Sequence, residues 1–209
     1  MFKYIKKIFA WLPIGIAALG SVGAFIVKWD DIVEVYREYV DCEENTSQYA
    51  KDLFSNPNQA NLQVKVLPDL SFKEGENMYM RFISEKDGQL LVFDINSEGA
   101  LTLLMPNQYY NDGFKLQANK EFIMPENNWG FDFPAEEPFG NGMLVSILIE
   151  DEIDLKSILP VSFQALSAGM AKPILQHLND QLTQSVMLDG VLRPYKWSGV
   201  ISNYEINNK

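Results

Sequence analysis

The chain has 209 residues, with 28 acidic against 17 basic side chains, a net charge of −11 at pH 7 and a single cysteine, Cys42. Such acidity argues against a phosphate-reading nucleic-acid surface, which needs clustered Lys and Arg, and one cysteine excludes both an intrachain disulfide and a cysteine-rich zinc site. The length is enough for one domain with a sizeable core.

Ile8 to Val27 is an uncharged, apolar stretch of twenty residues behind Lys3, Lys6 and Lys7. At about 1.5 Å rise per residue, a helix of that length covers the roughly 30 Å of bilayer hydrocarbon. Lysines precede it and Trp29-Asp30-Asp31 follows Lys28, so the positive-inside rule puts the N-terminus in the cytoplasm and the remainder outside. An uncleaved signal anchor over residues 1–28 is the expectation. A cleavable signal, with small residues at Ala18-Leu19-Gly20 and Val22-Gly23-Ala24, and a buried soluble helix remain open as alternatives. Ala17 with Ser21, and Gly20 with Ala24, put small residues four apart, a spacing that lets two such helices dimerise. Beyond residue 28, 13 basic residues face 28 acidic ones, which leaves the rest of the chain at −15.

Residues 29–60 are expected as a helical stalk and polar linker. Ile32, Tyr36, Tyr39 and Val40 share one helical face, one further turn is expected around Tyr49 to Phe54, and Ser55-Asn56-Pro57-Asn58 breaks the helix. From Asn61 the period changes to two. Strands are predicted at Leu62 to Val66, Met78 to Ile83, Gln89 to Ile95 and Ala100 to Met105. Turns at 73–77, Asp87-Gly88 and 96–99 separate them, so the last three read as an antiparallel meander.

Further strands are expected at Gly113 to Gln117 and Lys120 to Met124. Residues 126–142 read as a long loop or edge strand weighted by Trp129, Phe131, Phe133 and Phe139. Met143 to Ile149 is continuously apolar between Gly142 and an acidic run, the pattern of a strand buried on both faces. Pro173 suits the first position of a helix over 173–185, and Trp197 to Ile206 alternates as a closing strand. The fold class is therefore mainly β: an antiparallel β-sandwich of seven or eight strands over residues 61–209 with one or two added helices, preceded by a single transmembrane helix.

The succession Phe72-x-x-Gly75-Glu76, Asp87-Gly88-x-Leu90-Leu91-Val92-Phe93, Gly99-x-Leu101 and Met105-Pro106-Asn107 resembles a bacterial family, domain of unknown function 4384. Lys120-Glu121-Phe122-x-Met124-Pro125 and Gly142-x-Leu144-x-Ser146 extend the resemblance over about residues 60–206. The chain departs from the pattern at Gln89, where an aromatic is favoured, and at Met105, where Phe is. The resemblance implies an extracytoplasmic or accessory β-domain and carries over no catalytic residue.

Candidate chemistry is sparse. His177, the sole histidine, falls on the predicted helix without a Gly-x-Ser-x-Gly elbow, so it reads as a helix-surface residue and not as part of a nucleophilic site. Asp94-x-Asn96-x-Glu98-Gly99 looks like the start of a calcium loop, but position 12 of such a loop is Met105, and a hairpin turn uses the same residue types. Glu150-Asp151-Glu152 with Asp154 reads as a solvated charge run. No catalytic residue, metal site or cofactor is expected. The expected role is a non-enzymatic, membrane-anchored interaction domain outside the bacterial cytoplasmic membrane, in the periplasm or beyond. It would touch a protein partner through a strand edge or through Trp129, Phe131, Phe133 and Phe139. A carbohydrate- or peptidoglycan-binding module is the alternative and requires exposed aromatics, and a third reading places the domain in the cytoplasm beside a membrane effector.

Overall fold

The computed structural model describes residues 46–55, 57–109, 114–155, 159–160 and 162–208, all of them within the unit Tyr36–Lys209. The expected span at residues 8–27, the stalk before residue 46 and Cys42 lie outside the described residues. Among the described residues no helix is long and apolar enough to cross a membrane.

Among the described residues the fold is mainly β, in two principal sheets and one separate two-stranded hairpin, with two helices. One sheet contains β1 (Gln63–Leu67), β3 (Asn77–Ile83) and β7 (Phe122–Met124), all antiparallel, with the short β8 (Phe133–Pro134) also on β3. The larger sheet has the order β2 (Ser71–Lys73), β12 (Trp197–Asn207), β9 (Gly140–Ile149), β4 (Gly88–Ile95) and β5 (Leu101–Met105), with β6 (Phe114–Leu116) also on β4. Its pairs are antiparallel except β2 with β12, which run parallel. A separate hairpin joins β10 (Val186–Leu188) to β11 (Val191–Arg193).

Side-chain alternation places the core. On β3, Met78, Met80 and Phe82 point inward, where they meet Leu90 and Val92 of β4, Leu144 and Leu148 of β9, and Ile206 of β12. The opposite face of the larger sheet carries Leu91, Phe93, Ile95, Val145, Ile147 and Ile149. These pack with Ala50 and Phe54 of helix α1 (residues 46–54) and with Leu175, Leu178 and Leu182 of α2 (Ala168–Thr183). β9 is thus buried on both sides, which is why its sequence shows no alternation. Stripping the helices away would expose six large aliphatic and aromatic residues. At about 1.5–3 kcal/mol each, the loss is roughly 9–18 kcal/mol, as large as the whole stability of a typical domain, so the helices are integral.

Four expectations change. The three strands read as a meander are not one: β3 and β4 lie in different sheets, and only β4 with β5 forms a hairpin. Gly88, expected as a turn residue, is needed for close approach instead, because a Cβ there would come within 2.8 Å of the Ile149 carbonyl oxygen. Residues 46–60, expected as linker, supply Ala50, Phe54 and Ala60 to the core, and a Cβ on Gly199 would sit 2.0 Å from the Phe54 carbonyl oxygen. Helix α2 starts at Ala168, so Pro173 lies in its second turn and is exposed, while buried Ala168 and Ala171 continue the stripe of Leu175, Leu178 and Leu182. The short strands β2, β10 and β11 carry no legible period in the sequence, since three residues are too few to show one.

The outer edge of β5 is covered. Leu101 exchanges two backbone hydrogen bonds with Leu166, and the Phe163 amide donates to the Leu103 carbonyl. This is a common protection for an edge strand.

Candidate functional site

Asp94 breaks the pattern of its own strand. Leu90, Val92 and Asp94 occupy successive positions on the inter-sheet face of β4, and the third is a carboxylate where an apolar residue belongs. Two strands away, Tyr204 of β12 donates its hydroxyl to Asp94 Oδ1 at 2.6 Å. The ring reaches that far because the residue opposite it on β9 is Gly142, where a Cβ would lie 2.2 Å from Tyr204 Cζ. Burial raises the Asp94 carboxyl to about 6, offset in part by the Tyr204 hydrogen bond. Burial and the facing Asp94 carboxylate push the Tyr204 hydroxyl far above its ordinary range.

The pair forms the floor of a cavity of about 290 Å³ between the sheets, near the small end of ligand-pocket sizes. Met78, Met80, Phe133 and Leu144 supply apolar wall, Asn96, Ser97 and Thr102 supply polar wall, and exposed Glu136 and Glu137 stand at the rim. A wider groove of about 580 Å³ runs between Leu53, Asn179 and the segment Arg193 to Trp197. Its guanidinium is already committed: Arg193 donates to both oxygens of Asp151, at 2.7 and 2.8 Å, and holds that carboxyl below its usual range.

The aromatic residues singled out from the sequence are partly brought together. Trp129, Phe131 and Phe133 stand in a row, with ring centroids 5.6 and 5.4 Å apart. Tyr109 stacks on Trp129 at 5.6 Å and donates to its carbonyl oxygen, and Phe163 packs edge-on to Phe131. Trp129 is only 2% exposed, whereas Phe131, Phe133 and Phe139 are half-buried against the inter-sheet core. The solvent face of the row is made by Tyr109 and Phe163, and Phe163 holds a φ of +60°, a conformation that costs a bulky residue about 1–2 kcal/mol.

The remaining candidates disperse. Asn96 Oδ1 accepts from the backbone amides of Glu98 and Ala100, so it closes the β4–β5 turn while Asp94 points between the sheets. Glu152 pairs with Lys115 at 3.4 Å, and His177 is exposed on α2. Among the described residues no three His, Cys, Asp or Glu side chains are grouped to hold a metal ion. Sequence reasoning missed the Asp94–Tyr204 pair. The available signal was the acid at the third position of the Leu90, Val92 stripe; the competing turn motif absorbed it.

The family model described as "Domain of unknown function (DUF4384)" matches residues 71–151. Over this segment the chain resembles DUF4384. The DUF4384 segment carries β2 to β9 and with them Asp94, Gly142 and the aromatic row from Tyr109 to Phe133, while Tyr204, Phe163 and the β10–β11 hairpin come after it. Among curated proteins the chain is similar to DNA-directed RNA polymerase subunit alpha of Mesomycoplasma hyopneumoniae strains J and 232. Each is 29% identical over 119 residues, covering 52% of this chain. The chain spans about a third of the length of these relatives, 34%. No solved structure matches it.

Proposed function

We propose that this protein is a non-enzymatic interaction module, tethered by residues 8–27 to the bacterial cytoplasmic membrane with its β-domain outside the cytoplasm, where it docks a protein of a cell-envelope assembly. The observation that carries the reading is the β10–β11 hairpin. It belongs to neither sheet, yet Met187, Val191 and Leu192 on it are 67, 57 and 66% exposed. An isolated two-stranded hairpin is marginal in water, and three large apolar side chains held in solvent mark a contact surface. Tyr109 and strained Phe163 offer a second, smaller apolar face.

The carbohydrate-binding alternative loses support, because it calls for open indoles and Trp129 and Trp197 are 2 and 7% exposed. The polymerase activity in the relatives' name belongs to chains of which this one spans a third, and a net charge of −11 opposes nucleic-acid phosphates.

A photo-crosslinking residue at Leu192 in the full-length protein, in intact cells, tests the proposal. A discrete protein adduct from position 192, absent when the same residue replaces exposed Asp180 on α2, is expected. Adducts only to lipid, or equal adducts from both positions, would overturn it. Alkaline carbonate extraction and a reporter fused after Lys209 test the tether and its orientation.

A further inference from the structure

We infer that the inter-sheet cavity floored by Asp94 and Tyr204 is a binding site for a small organic cation, an ammonium group carried on an apolar body. The acid stands in a row of apolar residues, and its placement is built: Gly142 leaves the gap through which Tyr204 crosses β9 to fix one carboxylate oxygen. A hydroxyl donor orients a carboxylate but supplies no counter-charge. None comes from the walls either, because among the described residues lining the cavity there is no Lys, Arg or His. The ionisable side chains there besides Tyr204 are Asp94, Glu136 and Glu137, so the site repels anions. Met78, Met80, Phe133 and Leu144 offer apolar surface above the charge, and methionine side chains adapt to varied shapes. Charge at the floor with mainly apolar walls, interrupted by the neutral polar side chains of Asn96, Ser97 and Thr102, is complementary to an aralkyl or alkyl ammonium.

The test uses the full-length protein in nonionic detergent, labelled with ¹³C at its methionine methyls, and three probes of one shape: benzylammonium, benzyl alcohol and benzoate. Benzylammonium is expected to shift the Met78 and Met80 signals saturably while Met170 and Met187, on the surface, stay in place. Benzyl alcohol should bind at least tenfold more weakly, and benzoate should not bind. Asp94→Asn should weaken benzylammonium at least tenfold, with the remaining methionine signals showing that the fold is kept. The rim double variant Glu136→Gln/Glu137→Gln, altered only at exposed positions, should weaken it about threefold. Equal affinity for the alcohol and the ammonium, undiminished binding by Asp94→Asn, or shifts confined to other methionines would overturn the assignment. An unchanged affinity in the rim variant together with a change under twofold in Asp94→Asn would do so as well.

Discussion

Gly142 and Tyr204 face each other across β9 and β12, and the glycine's missing side chain is the passage through which the tyrosine reaches Asp94 on the next strand. Gly142→Ala closes it. With a Cβ at 142 the ring must swing away, which costs about 1–3 kcal/mol of stability, the usual range for overpacking. The same shift removes the hydrogen bond that lowers the Asp94 carboxyl, so its midpoint should move above 6. Chemical denaturation and a ¹³C titration of the Asp94 side chain read the two effects. A variant as stable as the parent, with an unmoved midpoint, would show that Tyr204 does not depend on the gap.

Asp94 also sets a pH dependence of stability. Its carboxyl lies near 6 in the fold against 3.8 when free, so between those values the folded chain holds a proton that the unfolded chain has released. Folding is therefore favoured by acid: the gain is complete below 3.8 and is lost as pH rises through about 6, a swing of at most about 3 kcal/mol. Asp151, held down by Arg193, acts in the opposite direction but only as pH falls below 3.8. Urea midpoints measured from pH 4 to 7.5 should decline for the parent and stay flatter for Asp94→Asn, which should be the more stable of the two at pH 7.5. A parent profile that rises with pH across this range would contradict the burial of the acid.

Ser146 presents a different cost. Its hydroxyl is fully buried on the inter-sheet face of β9, between Leu144 and Leu148 and beside Val92 and Val200, with no hydrogen-bond partner among the described residues. A buried hydroxyl without a partner costs about 1–3 kcal/mol. Ser146→Ala removes the oxygen and leaves the methylene, so a rise in stability of about 1 kcal/mol is expected in thermal or urea unfolding. A loss of similar size would mean that the hydroxyl is satisfied.

Most of the strands were legible because burial on one face leaves a period of two, as in Met78, Met80 and Phe82, and burial on both faces removes it, as in Met143 to Ile149. Period says which face a side chain takes; it is silent on which sheet a strand joins. That is why β3 and β4, joined by a plausible Asp-Gly turn, were read as neighbours when they belong to opposite layers. The start of α2 escaped because Pro173 fits a first helical position equally well, and the buried alanines before it carry little hydrophobic signal. The aromatic row could be seen as weight on one segment, but its burial depends on Tyr109 and Phe163, which are distant in sequence. Asp94 needed a fact no local window contains: that its partner stands 110 residues later, across a glycine on a third strand.

The position of β12 has a consequence for how the molecule can fail. The final strand is inserted between β2 and β9, so it is an interior plank and not an outer one. A polypeptide halted or clipped ahead of Trp197 would keep eleven of the twelve described strands, and yet it would strand β2, bare one side of β9 and lose the tyrosine that orients Asp94. Fragments of this kind are expected to have no stable shortened form, because β2 and β9 lose the strand that joins them. Cellular proteases would meet either the finished molecule or an open, digestible one, with little between.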